Sequence, residues 1–241
     1  MVARNFFGCV FMTVAVLSVL LFAGCGGDNS SQVPENTETA GNPQASISES
    51  GWINLSGDTA LSHWNMKSPG AWKVVDGVME KSEGGGYIWT KERFGDFVLD
   101  CEFRISEGGN SGIFFRTDDT DDPVQTGIEM QVYNIERHPS PVKNDCGAMY
   151  DLLEPSVYAD KPAGEWNHAV ITCRDNVITV ELNDTQIIDM DLNSWDTPGM
   201  NPDGTKNKFN RALKDFKREG YIGFQEHGDP VWYRSVRVKR L

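Results

Sequence analysis

The sequence predicts an all-β protein folded as an antiparallel sandwich. Three features point there. Short runs alternate apolar and polar residues with a period of two, clusters of Gly, Asn and Asp punctuate them, and Trp and Gly are scattered along the chain. Many short strands of this kind bury one face each against a second sheet.

The first 50 residues stand apart from that pattern. Arg4 is followed by an apolar run, Val10 to Leu21, and then by Phe22-Ala23-Gly24-Cys25. One positive residue, a short apolar core and small residues before a cysteine read as an export signal over residues 1–24. Cysteine directly after Ala-Gly resembles the lipobox of bacterial lipoproteins, which makes Cys25 the lipid-attachment site; Phe22 stands where Leu is commonest. Residues 25–50 are polar, contain Pro and Gly and lack aromatics. They cannot bury enough apolar surface to offset their ordering entropy, so they read as a flexible linker. The expectation is an exported protein, lipid-anchored to the bacterial membrane, facing the periplasm or the cell exterior and touching the membrane through that anchor alone. Residues 51–241 then form one domain of a size that buries a core.

Within the domain, Phe97 to Ile105 places Phe97, Leu99, Cys101, Phe103 and Ile105 on one face and Asp100, Glu102 and Arg104 on the other. Gly108-Gly109-Asn110 turns the chain into a strand from Ser111 to Thr117, and another follows from Ile128 to Asn134. Ala169 to Cys173 leads through a turn at Asp175-Asn176 to Val177–Leu182. Asn183-Asp184 reads as a tight hairpin turn into Thr185–Leu192, because both residues tolerate positive φ. Tyr221–Glu226 and Val231–Val238 close the chain. One short surface helix is predicted over Lys206 to Lys217, where Phe209, Ala212, Leu213 and Phe216 recur at helical spacing.

The formal net charge of -13 argues against nucleic acid and anionic lipid as partners, and leaves neutral ligands such as sugars open. Outside the leader region Cys101, Cys146 and Cys173 remain, an odd number that closes no disulfide framework. Buried free thiols are expected, with a Cys101–Cys173 bridge left open.

Several strands carry polar residues where they turn away from the core. Glu129, Gln131 and Tyr133 alternate with Ile128, Met130 and Val132; Arg116 falls opposite Phe115; Gln225 and His227 fall opposite Phe224. If these strands are neighbours, Arg116, Glu129, Gln131, Gln225 and His227 line one surface, with Glu102 and Arg104 beside them and Tyr and Trp nearby. A solvated sheet face would explain polarity. It would not explain this choice of guanidinium, carboxylate, amides, imidazole and aromatics, which suits a hydroxyl-rich ligand. Gly84-Gly85-Gly86 lacks the context of a phosphate loop, and Glu136, His138 and Asp145 lack ligand spacing and read as solvated loop residues.

Seven stretches together resemble the 3-keto-disaccharide hydrolase domain family. They are Gly51–Leu55, Gly85–Lys91, Phe94–Phe97, Gly108–Arg116, Gly127–Val132, Lys161–Asn167 and Gly223–Arg234, in that order. Glu226 stands where Asp is commoner, and Cys146 lies in a segment that usually has none. The resemblance implies a concanavalin-A-like jelly roll of two antiparallel sheets, and cleavage of glycosides whose sugar is oxidised at C3. A ketone there acidifies the C2 proton; its removal gives an enolate that expels the C1 group, and water then adds or does not. That route needs a base, an oxyanion holder and an acid. Glu129 and His227 are assigned as base and acid in either order, with Arg116 at the oxyanion. Substrate binding falls to Gln131, Gln225, Glu102, Tyr133 and Trp89. A direct two-carboxylate glycosidase would draw its second acid from Glu102 or Glu226. The sequence requires no cofactor; a divalent cation is the alternative to Arg116. The competing class is a non-catalytic, lectin-like carbohydrate-binding module.

Overall fold

Alternation decides which side of each strand meets the core. In the computed structural model, which describes residues 51–81 and 85–241, Phe97, Leu99, Cys101, Phe103 and Ile105 are all buried while Val98, Asp100, Glu102 and Arg104 are half-buried on the opposite face. The predicted signal peptide, linker and Cys25 lie outside the described residues.

The strands among the described residues are β1 (Trp52–Asn54), β2 (Trp64–Met66), β3 (Trp72–Val75), β4 (Val78–Lys81), β5 (Ile88–Thr90), β6 (Phe97–Ile105), β7 (Asn110–Thr117), β8 (Ile128–Tyr133), β9 (Asn167–Arg174), β10 (Val177–Leu182), β11 (Thr185–Asp191), β12 (Tyr221–Phe224) and β13 (Val231–Arg240). An eight-stranded sheet runs β11-β10-β9-β6-β13-β4-β3, with β1 paired to the C-terminal part of β13. A five-stranded sheet runs β2-β5-β12-β7-β8. The pairings are antiparallel, and the core fills the space between the sheets, from Leu99, Phe103, Ile171 and Val238 on one to Ile88, Ile113, Phe115 and Met130 on the other. Phe224 and Tyr233 stack across it with ring centroids 3.8 Å apart.

The predicted hairpin turns form. Asp175, Asn183 and Asp184 all take positive φ, at 46°, 49° and 64°. Asn183 also ties its turn down, donating from Nδ2 to the Ala159 carbonyl and the Asn167 side chain at 2.8 Å each.

One expectation is corrected, and the expectation of free thiols holds. Lys206–Lys217 is not a helix: the segment is irregular apart from a 3₁₀ turn at Leu213–Asp215, and the short helix, α1, is Pro123–Thr126, with Pro123 opening its first turn. Phe209, Ala212, Leu213 and Phe216 are all buried, so their spacing records separate anchors of a connection laid over the domain rather than one helical stripe. Cys101, Cys146 and Cys173 are free and buried. No Cys101–Cys173 bridge forms because β9 pairs with β6 in the register Phe97↔Cys173 and Cys101↔Ala169. The two thiols therefore sit four residues apart along the pair, on the order of 13 Å, beyond disulfide reach.

Candidate active site

The outer face of the five-stranded sheet carries the cleft. Across that face, register places Trp89 beside Gly223, Gly223 beside Phe114, Phe114 beside Glu129 and Gly112 beside Gln131. Trp89 and Phe114 pack with Tyr87 into an aromatic patch, with centroids 5.7 to 5.8 Å apart. Two glycines make the face possible. A Cβ on Gly223 would lie 2.2 Å from the Trp89 ring, and one on Gly112 would lie 2.1 Å from Glu129 Oε1.

A cleft of about 440 Å³ opens on this face, lined by Tyr87, Asn110, Val124, Glu129, Gln131, Tyr150, Asp151, Lys208, Gln225 and His227. Its far wall comes from chain outside the sheet. The 147–150 segment runs along the free edge of β8, with Gln131 N–H donating to the Ala148 carbonyl and Tyr150 N–H to the Glu129 carbonyl at 2.9 Å each. Asp151, at φ 67°, accepts the Lys208 N–H at 2.5 Å. Lys208 Nζ then lies 3.6 Å from Glu129 Oε2 and 4.5 Å from the Tyr150 ring centroid.

Burial controls the charges here. It pushes the Glu129 carboxyl up to about 7, against the pull of Lys208, and lowers the Lys208 ammonium against the pull of Glu129 and Asp151. Burial raises the Tyr87 hydroxyl, which accepts from Gln225 Nε2 at 3.3 Å. Among the described residues Asn110 Oδ1, Gln131 Oε1 and Gln225 Oε1, all on cleft-lining residues, are buried without a partner, as is Trp89 Nε1. Such groups are costly unless a ligand satisfies them.

The structure brings together Glu129, Gln131, Gln225 and His227, the last exposed at the mouth. It separates the others. Arg116 does not face the cleft: Phe115 and Arg116 bulge where β7 pairs with β12, Arg116 takes φ 51°, and the alternation slips by one residue. Its guanidinium is buried and bonded to Asp96 Oδ1 at 3.1 Å and to the Asp175 carbonyl at 2.5 Å, stitching the two sheets at one end. Glu102 and Arg104 lie on the outer face of the other sheet, where Arg234 grips both Glu102 oxygens at 2.9 Å. Tyr133 shares the Glu129 side of β8 but falls short of the cleft, and Trp89 lies under Tyr87 rather than at the surface. Glu226 turns from His227 to Lys81 Nζ at 2.9 Å and the Gly86 N–H at 3.2 Å, tying together the loops that carry Tyr87 and His227.

Asp145 is not a solvated loop residue. Its buried carboxylate accepts from Val142 N–H at 2.8 Å and Tyr158 OH at 2.9 Å and meets His138 Nδ1 at 3.1 Å; Glu136 and His138 are exposed. Among the described residues no three His, Cys, Asp or Glu side chains converge as a cation would need.

Sequence reasoning missed Tyr87, Asn110, Tyr150, Asp151 and Lys208. Tyr87 was within reach, since it shares the phase of Trp89. Lys208 was hidden by the helical reading of its segment.

Comparison with known proteins agrees with this architecture. The chain is 26% identical over 235 residues to a 3-keto-disaccharide hydrolase of Bacteroides thetaiotaomicron, covering 82% of this chain and 81% of that protein. A candidate glycosyl hydrolase of Parabacteroides distasonis, of known crystal structure, superposes with a TM-score of 0.73 at 30% identity, covering 79% of this chain and 99% of that one. A Bacillus subtilis protein with a galectin-like fold shares the architecture alone, with a TM-score of 0.50 at 12% identity over 78% of this chain and 94% of that one. The family model of the 3-keto-alpha-glucoside-1,2-lyase-like domain matches residues 51–239, and the chain belongs to that family.

Proposed function

We propose that this glycoside-cleaving enzyme acts on glycosides carrying a ketone at C3, and that Glu129 removes the C2 proton in its cleft. One observation carries the reading: a buried carboxyl, raised to about 7, stands among three unpartnered amide oxygens. The amide oxygens of Asn110, Gln131 and Gln225 accept sugar hydroxyls. Glu129 takes the proton from C2, and the electron pair moves onto the C3 oxygen as an enolate. Lys208, 3.6 Å from Glu129, neutralises that oxygen, the part first given to Arg116. Collapse of the enolate expels the C1 group, with His227 at the mouth protonating the leaving oxygen. Water then adds to the enone, or the enone departs. A C2–H removed at about pH 7 demands a base of matching pKa, which burial of Glu129 supplies.

The test is incubation of the protein with a 3-keto-glucoside of a coloured aglycone, beside the parent glucoside. Release from the ketone alone is expected, with deuterium from heavy water appearing at C2 of recovered substrate. Saturable binding without release would make the domain a carbohydrate-binding module. Release from the unoxidised glucoside at equal rate would remove the enolate route.

We further propose that the protein is exported and lipid-anchored through Cys25, on the strength of the Ala-Gly-Cys that ends the apolar leader. Cys25→Ala should leave the leader uncleaved and abolish acylation by mass spectrometry; unchanged processing would refute the anchor.

A further inference from the structure

The outer face of the eight-stranded sheet, on the opposite side of the sandwich from the cleft, carries rows of directly paired side chains. Pairing places Lys73 opposite Glu80, Glu80 opposite Trp232, and Trp232 opposite Arg104. Trp166, just before β9, completes the row, because Phe103 pairs with Asn167. Most cations on this face have an acid. Lys73 Nζ meets Glu80 at 2.9 Å, Arg234 meets Glu102 at 2.9 Å, and Arg237 meets Asp100 at 2.7 Å. Glu80 is occupied twice, since it also accepts from Trp232 Nε1 at 2.9 Å.

Arg104, like Arg174 and Lys239 on the same face, has no ion-pair partner among the described residues, but it differs from them in being held by aromatic rings. Its guanidinium carbon lies 4.4 Å from the Trp232 ring centroid and 4.9 Å from that of Trp166, so two indoles hold the plane. Arg234 covers Trp166 in turn at 4.1 Å. Arg104 Nε is buried without a partner, and its two amino groups make neither a hydrogen bond nor an ion pair among the described residues. Arg104 borders a depression of about 420 Å³ whose other walls are Ile105, Ser106, Glu107, Ala163, Gly164 and Trp232. Glu80, already held by Lys73 and Trp232, acts on this guanidinium only through space, so its hydrogen-bonding fork stays open. A stacked guanidinium has already lost its rotamer freedom, so a bidentate acceptor gains the fork at little further entropic cost.

We propose that Arg104 and the depression beside it form a second binding site that takes a carboxylate, independent of the catalytic cleft. The matching ligand is a planar anion whose two oxygens meet the two amino groups edge-on, while its remaining atoms lie against Gly164, Ala163 and the Trp232 ring. A uronic acid residue of an acidic glycan offers this chemistry with a sugar body to fill the depression; a free carboxylate offers the anion alone. Glu107 on the rim selects against ligands with a second negative charge.

The experiment is an NMR titration of the 15N-labelled protein with D-glucuronate, acetate and D-glucose, run separately. The signals followed are Arg104 Nε–H, which burial protects from exchange, and the indole N–H groups of Trp166 and Trp232. Arg104→Gln identifies the first signal by its loss. Glucuronate should shift all three signals with a dissociation constant on the order of 1 mM. Arg104→Lys should weaken it by about tenfold, because a point charge cannot replace the fork. Glucuronate tighter than acetate assigns the site to acidic sugar; equal affinities assign it to carboxylates at large. Both support the proposal. Glucose acting like glucuronate, glucuronate shifting the indoles equally in Arg104→Gln, or no shift at all would overturn it. Turnover in the cleft should be unchanged by either variant, which separates this site from the reaction proposed above.

Discussion

Glu129 shows how far a residue's chemistry depends on what surrounds it. Its folded-state pKa of about 7 lies above the ordinary 4.5, so the native protein holds a proton that the unfolded chain releases. That stabilisation is complete below about 4.5 and is lost as pH rises through about 7. Glu129→Gln should therefore flatten the fall of melting temperature across that window, as thermal melts at several pH values would show. The same shift governs catalysis. kcat/KM should climb tenfold per unit on the acid limb below about 7, which Glu129 sets, and Glu129→Gln should cost at least about a hundredfold. A flat profile, or a mild loss, would move the base elsewhere. Arg116 carries the contrary lesson. Buried and bonded to Asp96, it holds the sheets together, so Arg116→Met should lower unfolding free energy by about 3 kcal/mol in urea titrations. Turnover per folded molecule should stay near normal, and a large loss of kcat in fully folded protein would restore its catalytic assignment.

At the scale of the element, the cleft rests on paired strands whose close contacts admit no extra atom. β7 approaches the Glu129 side chain at Gly112 so closely that an added Cβ would fall 2.1 Å from the carboxylate. Gly112→Ala should displace that carboxylate and reduce turnover nearly as far as Glu129→Gln, while the fold persists because β7 keeps its pairing with β8 and β12. Kinetics paired with circular dichroism would decide it; undiminished turnover would mean that Glu129 need not stand where it does. The connection from Asp191 to Tyr221 is the other element that matters. It looks like a loop to be trimmed, yet it carries Lys208 to the carboxylate. Its anchor is Asn201, which accepts the Trp195 indole N–H at 2.9 Å and donates to the Asp151 carbonyl at 3.1 Å.

For the whole molecule, the sandwich presents two unlike outer faces: a cleft of buried polar groups on one sheet, and rows of ion pairs and stacked rings on the other. We propose that residues 51–241 fold without what precedes them, as the composition shift at Gly51 implies. A chain starting at Gly51 should melt cooperatively at the temperature of the longer protein; a fall of many degrees would mean that the preceding segment packs on the domain. The sequence determined the sandwich, the inner face of β6, the hairpin at Asn183-Asp184 and the grouping of Glu129 with Gln131, because each follows from alternation or turn chemistry within a few residues. It could not reveal the bulge at Arg116, which depends on how β12 pairs with β7 and reverses every side-chain assignment beyond it. Nor could it place Glu102, whose phase was read correctly but whose sheet is the other one. Lys208 reaches Glu129 from 79 residues along the chain through contacts that no local pattern encodes. Periodicity is a property of neighbouring residues and survives in the sequence. Which strands meet, and what a long connection covers, are decided only when distant segments compete to bury the same surface.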